Sequence, residues 1–309
     1  MLFKVFVFSI FALYLLLLVV LFGRRLWRLR SRSPSNRLPT RTDASSGKVF
    51  LDIIDLSKAF DYPVLKGINL RIQRGETLGV LGMSGTGKSV LLKLVAGLLK
   101  PDQGYIVYRR RDITKMSERD LLDYRKKVTY VFQSGAVFDF LNVRENIAYP
   151  LREEGRLDEE EVQQRVSYLL DAVELEGQGD LLTSELSLGS KKQVAIARAI
   201  AGNPDAILYD EPTTGVDPLI GKSLSRLIRK LNKQEKLTSI VVTHDMRCLR
   251  IVSDRIILLK DGNIHFEGRA EAFYSSQDPF VRAFIAGKRI DESALPPAPP
   301  PEQASSVQG

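Results

Sequence analysis

Gly82-Met83-Ser84-Gly85-Thr86-Gly87-Lys88-Ser89 fits G-x-x-x-x-G-K-[ST], and the fold turns on how this stretch is read. The apolar run Thr77 to Leu81 before it predicts a buried strand, and Val90 to Ala96 after it has the apolar spacing of a helix. Strand, glycine-rich turn and helix together make a phosphate-binding loop. The glycines let the backbone curl so that successive N–H groups converge on a polyphosphate, and the positive end of the helix dipole adds to them. Gly82, Ser84, Gly85, Thr86, Gly87, Lys88, Ser89 and Val90 are thus the expected nucleotide cradle, with Lys88 placed for the β- and γ-phosphates and Ser89 for Mg2+.

Many kinases and GTPases share such a loop, so the class depends on the carboxylates that follow. Ala206-Ile207-Leu208-Tyr209-Asp210-Glu211 is an apolar strand ending in two acids. Downstream of a phosphate loop, Asp210 is expected beside the Mg2+ and Glu211 where it can polarise an attacking water. Further strands are expected at Val49 to Asp55, Ile68 to Ile72, Tyr105 to Tyr108, Val128 to Phe132, Ser239 to Val242, Arg255 to Leu259 and Asn263 to Phe266. Helical patterns cover Glu118 to Tyr124, the stretch from about Asn142 to Val173, Ser190 to Gly202, the face Leu224, Leu227, Ile228 and Leu231, and Pro279 to Ala286. Alternation of this kind indicates a largely parallel sheet covered on both faces. Lys260-Asp261-Gly262 reads as a hairpin turn between the last two strands.

The net charge of +8 on 309 residues does not point to nucleic acid. Residues 1 to 42 hold Lys4, Arg24, Arg25, Arg28, Arg30, Arg32, Arg37 and Arg41 with no Asp or Glu, and these cations equal the whole excess. The basic character therefore belongs to an N-terminal arm. Val5 to Phe22 is apolar except for Ser9, long enough to cross roughly 30 Å of hydrocarbon as a helix. Residues 1 to 23 are thus read as a transmembrane anchor, with the arginines and the main domain on the cytoplasmic side. A cleaved signal peptide and an over-extended start are the alternatives. Residues 24 to 47 read as a basic, Ser- and Pro-rich tether, 48 to 287 as the folded domain, and 288 to 309, with five prolines between Pro296 and Pro301, as a disordered tail. The single Cys248 excludes an intramolecular disulfide and a cysteine-rich metal site.

Four further motifs, in order, make the chain resemble the ATP-binding cassette (ABC) ATPases over about residues 48 to 287. Gln133 after Val131-Phe132 matches the Q-loop; Leu186-Ser187-Leu188-Gly189-Ser190 the signature loop; Gly215-Val216-Asp217-Pro218 the D-loop; and His244 in Val242-Thr243-His244-Asp245 the switch histidine. Phe60 stands where the family's aromatic stacks on adenine, with Tyr62 a substitute. The resemblance implies an α/β P-loop NTPase of ABC type: a mainly parallel sheet core, an antiparallel β subdomain and a helical subdomain, here preceded by one transmembrane helix. It implies ATP and Mg2+ as cofactors, with Ser89, Gln133 and Asp210 around the metal, Glu211 as general base, His244 holding the γ-phosphate and water, and Lys88 on the phosphates. Two copies would close head to tail, each ATP lying between the P-loop of one and Ser187, Gly189 and Asp217 of the other, so the single chain would hold half a site. Leu188 stands where the family usually has glycine, and Val90 where a second hydroxyl is common. A side chain at Leu188 is expected to restrict the approach of the backbone to phosphate.

The segment Phe132 to Arg152 and the ending Asp278 to Gly287 are similar to the Mla-type lipid-transport ATPases, which serve permeases paired with Mce-domain proteins. That resemblance implies a permease and an Mce-domain partner at the cytoplasmic face of the inner membrane, and transport of phospholipid or another hydrophobic molecule. An amino-acid-type importer shares part of the C-terminal pattern and is the second reading; a non-hydrolysing ATP-dependent clamp is the third.

Overall fold

The computed structural model describes residues 49–287. The expected anchor at 1–23, tether at 24–47 and tail at 288–309 lie outside the described residues. Among the described residues no helix is long and apolar enough to cross a membrane.

The core is a six-stranded sheet made of β3 (Thr77–Gly82), β6 (Val128–Val131), β7 (Ala206–Asp210), β8 (Thr238–Val242), β9 (Arg255–Lys260) and β10 (Asn263–Arg269), in the order β10-β9-β3-β8-β7-β6. All neighbours pair in parallel except β10, which turns back antiparallel on β9. Every residue of β3, β7 and β8 is buried, which is why these strands read as continuous apolar runs. The turn before β10 needs left-handed backbone at two successive residues, and Asp261 and Gly262 supply it at φ 50° and 84°.

A second sheet, all antiparallel, contains β1 (Val49–Ala59), β2 (Pro63–Gln73), β4 (Gln103–Tyr108) and the short β5 (Arg111–Asp112), in the order β2-β1-β4-β5. β1 and β2 run past their expected ends. Their register shifts between Ile53 and Leu56, where Asp55 has φ 49°, so the apolar alternation breaks while the pairing continues. The two sheets share one core with α1 (Lys88–Val95): Leu51, Ile53, Leu65 and Ile72 pack with Leu78, Val80, Leu92 and Ile240.

A second core lies around α3 (Val143–Glu154), α4 (Glu159–Ala172) and α5 (Leu188–Ala201), where Val143, Ile147, Val166, Leu169, Val194 and Ile200 pack beneath β7. α2 (Glu118–Lys127) flanks β6. The helical stretch expected from Asn142 to Val173 is two helices. Gly155 ends α3 at φ 62°, and Asp158 with Glu161 forms a capping box that starts α4. Pro150 lies inside α3 without ending it. α6 (Pro218–Gln234) follows the Asp-Glu strand. α7 (Met246–Val252), α8 (Ala270–Tyr274) and α9 (Pro279–Ile285) follow among the described residues; α7 and α8 were not expected, being too short to show a helical period.

Candidate active site

Parallel strands bring their C-terminal ends to one edge of the sheet, and four expected motifs follow such ends. The P-loop leaves β3, Gln133 follows β6, Asp210 and Glu211 end β7, and Thr243-His244 follows β8. Chain distances of more than a hundred residues thereby become hydrogen-bond distances.

The P-loop curls as its sequence requires. Gly85 and Gly87 have φ 82° and 92°, and Gly87 is the residue on which α1 begins. A Cβ on Gly87 would come within 2.8 Å of Leu65 and 2.9 Å of Val64, so both conformation and space demand glycine there. A Cβ on Gly85 would meet no atom within 4 Å, leaving that face of the loop open. Lys88 turns its Nζ into the curl, donating to the carbonyls of Gly82 and Met83 at 2.9 Å each. Burial lowers the Lys88 pKa, while Glu211 and Asp210 pull it the other way. Thr86 Oγ1 donates to the Met83 carbonyl at 2.9 Å.

Ser89 Oγ donates to Asp210 Oδ1 at 3.0 Å, so the two residues expected at the metal meet. Tyr130 on β6 donates its hydroxyl to the other oxygen, Oδ2, at 2.7 Å; burial and this bond push the phenol pKa up. One hydroxyl and one held carboxylate beside a phosphate cradle fit a Mg2+ that takes further ligands from phosphate and water. Among the described residues no group of three or more His, Cys, Asp or Glu forms a metal centre of another kind.

Glu211 is next along, in left-handed backbone at φ 50°, with its N–H donating to the Val242 carbonyl at 2.9 Å. A non-glycine residue held in this region stores strain that its surroundings must offset. Here they do: Glu211 Oε2 accepts from Thr214 Oγ1 at 3.0 Å and lies 2.9 Å from His244 Nδ1. The Nδ1–H tautomer of His244 donates to that oxygen and leaves Nε2 free to face a substrate. Glu211 is largely buried and His244 is exposed.

Gln133 is exposed, and its carbonyl accepts from Lys192 Nζ at 2.9 Å. The loop after it is clasped by α5: Arg198 donates to the carbonyls of Gly135 and Ala136, and Lys191 pairs with Asp139. Phe60 is 57% exposed at the end of β1, and Tyr62 is exposed beside it.

Ser187, Gly189 and Asp217 lie at the starts of α5 and α6, and no side-chain hydrogen bond joins Ser187 or Asp217 to the P-loop among the described residues. Ser187 caps α5, its Oγ accepting from the Ser190 N–H at 3.1 Å. Asp217 caps α6 and accepts from the Leu219 N–H at 2.8 Å. Leu188 and Gly189 join the two loops: a Cβ on Gly215 would meet Leu188 Cδ2 at 3.2 Å, and one on Gly189 would meet Ile220 Cγ2 at 2.7 Å. Leu188 is the first residue of α5 with ordinary negative φ, so the restriction expected from its side chain does not act through backbone strain. A cleft of about 290 Å3 lined by Thr213, Asp217, Lys222, His244, Asp245 and Cys248 opens beside this group.

Sequence reasoning missed Tyr130, Thr214 and Lys192. Only Lys192 left a signal, a cation one residue short of the apolar helix run Val194-Ala195-Ile196-Ala197.

The family profile described as ABC transporter matches residues 65–214. Over 231 residues the chain is 40% identical to the ATP-binding protein MlaF of the intermembrane phospholipid transport system of Haemophilus influenzae, covering 75% of this chain and 88% of that one. It is also 40% identical over 223 residues to a methionine import ATP-binding protein, MetN, of Francisella tularensis, covering 72% of this chain and 63% of that one. Among solved structures it is similar to a dimeric ATP-binding cassette in a post-hydrolysis state bound to ADP and Pi, with a TM-score of 0.66, 33% identity, and coverage of 71% and 98%.

Proposed function

The chain belongs to the ABC transporter family of ATP-binding subunits, which hydrolyse ATP to drive transport, and from that premise we propose that it powers movement of phospholipid or a similar hydrophobic molecule. It works as a head-to-tail pair on the cytoplasmic face of the inner membrane, with a permease and an Mce-domain partner. The observation that carries the hydrolytic part is the cluster of Glu211, Thr214 and His244 next to Ser89 and Asp210.

In this reading Gly82 to Val90 hold the phosphates of ATP through backbone N–H groups, and Lys88 gives its ammonium to them in place of the carbonyls of Gly82 and Met83. Ser89, Asp210 and Gln133 hold Mg2+, which when bound neutralises charge on the phosphate oxygens. Tyr130 keeps Asp210 turned toward Ser89. Glu211 takes the proton from the attacking water, and His244 fixes the carboxylate that does so. Phe60 offers its exposed ring to adenine. Ser187, Gly189 and Asp217 face the ATP of the second copy, a role supported by the Ser187 and Asp217 side chains bonding near their own helix starts rather than to their own P-loop.

The lipid substrate rests on likeness to the phospholipid transport relative; the methionine import relative keeps the amino-acid reading as the second. The test has two arms. Purified chain with its permease should release phosphate, and Glu211→Gln should abolish this; equal, negligible rates would favour the non-hydrolysing clamp. Copurification with an Mce-domain protein supports the lipid reading, whereas a periplasmic solute receptor in its place overturns it.

A further inference from the structure

Lys192 is 3% exposed and lies five residues beyond Ser187 on the helix that the signature loop begins. A long helical side chain leans back toward the N-terminus of its helix, and Lys192 accordingly reaches under the signature loop toward the sheet edge. Its Nζ is 2.9 Å from the carbonyl of Gln133 and 3.5 Å from the carbonyl of Glu211. Those two carbonyls belong to the loop that follows β6 and to the residue that carries the water-activating carboxylate. One buried ammonium therefore touches three motifs: the signature helix that bears it, the Q-loop and the catalytic glutamate.

We infer that Lys192 is a positioning residue that sets the place of Glu211 according to the positions of the Q-loop and the signature helix. The inference rests on the ATPase reading and deepens it. Its physical basis is that Glu211 occupies left-handed backbone, a conformation that persists only while neighbours hold both sides of the peptide. The Val242 carbonyl holds its N–H, while its own carbonyl accepts from the Thr214 N–H at 3.2 Å and from Lys192 Nζ at 3.5 Å, so Lys192 is the contact that ties this peptide to the signature helix. The ammonium has three hydrogens and, among the described residues, no side-chain carboxylate in an ion pair with it, so it can serve both carbonyls at once, and what couples them is the single position its Nζ takes between them. The tighter bond is to Gln133, at 2.9 Å, and the looser to Glu211. A shift of the Q-loop away from α5 frees the ammonium to move toward Glu211; a shift toward α5 draws it off. Burial lowers the Lys192 pKa and the nearby Glu211 charge opposes this, as expected for a cation kept in a dry site by its partners.

The test compares Lys192→Met, which keeps the length but removes the donors, with Lys192→Gln, which restores a neutral donor, in the full-length chain. Phosphate release, affinity for a fluorescent ATP analogue and melting temperature are measured for each, with Glu211→Gln beside them. The expected result is a fall of at least ten-fold in kcat for Lys192→Met with ATP affinity within two-fold of wild type, and recovery of most of that loss in Lys192→Gln. A Lys192→Met kcat within two-fold of wild type overturns the inference. So does a parallel loss of ATP affinity and melting temperature in both variants, which marks a purely structural lysine. A wild type no faster than Glu211→Gln fails the ATPase reading itself, an outcome distinct from either.

Discussion

Glu211 and His244 show how much chemistry is settled by single side chains. The imidazole is exposed, yet its Nδ1 is tied to a carboxylate that is largely buried, so the pair presents one mobile face and one fixed one. Removing the ring should leave ATP binding intact, because none of the P-loop bonds involves it, while loosening the carboxylate proposed to take the proton. His244→Ala should therefore lower kcat by roughly a hundred-fold, within the usual range for general acid–base groups, with ATP affinity within about two-fold. Steady-state phosphate release alongside nucleotide titration checks this, and a matching loss of affinity would place the histidine on binding instead. The sequence marked Glu211 and His244 through motif order, but their contact arises from the parallel alignment of β7 with β8, which no local pattern encodes.

At the scale of elements, legibility followed periodicity. Strands buried on both faces, such as β3 and β8, and long striped helices, such as α4, announced themselves because each carries enough repeats of its period. β1 and β2 were cut short because a bulge at Asp55 interrupts the alternation without ending the pairing. α7 and α8 offered too few turns to register. The last helix, α9, depends on one carboxylate: Asp278 accepts from the Val281 N–H at 2.8 Å and lies 3.2 Å from His265 Nε2. Burial alone would raise the Asp278 pKa, but these donors outweigh it and hold the carboxyl below its ordinary value. A depressed carboxyl contributes stability that is present above its unfolded-state pKa and is lost as pH falls through the folded one. The protection of the amides of residues 279–285, taken relative to their intrinsic exchange rates at each pH, should thus fall as the solution is acidified. Asp278→Ala should bring on the same loosening at neutral pH, at a cost of about 1 kcal/mol. Exchange protection that ignores both changes would show that Phe280 and Val281, packed in the core, hold the helix without its cap.

For the molecule as a whole, the division of the motifs into two groups is the decisive property. Ser187 and Asp217 use their side chains to cap their own helices, and their hydrogen bonds do not extend to the P-loop of the same chain. If each ATP site combines the P-loop of one copy with the signature loop of another, two differently damaged chains should complement. Lys88→Ala and Ser187→Arg should each be inactive alone. Mixed in equal amounts, half of the pairs contain one sound site, and activity should return to about a quarter of wild type. Phosphate release from the mixture measures this directly, and a mixture as inactive as its components would mean that the site is complete within one chain.

The two neighbouring positions Leu188 and Gly189 carry different histories open to them. Leu188 begins a helix, is 42% exposed and lies with its Cδ2 beside Gly215 of the D-loop, so a change at that position meets little packed core. Gly189 is buried against the methyl of a β-branched isoleucine whose rotamer a helix restricts, and any side chain there must first displace Ile220. A signature loop can therefore drift at its first small residue while being locked at its second. The exposed leucine at 188 beside a buried glycine at 189 fits that unequal freedom.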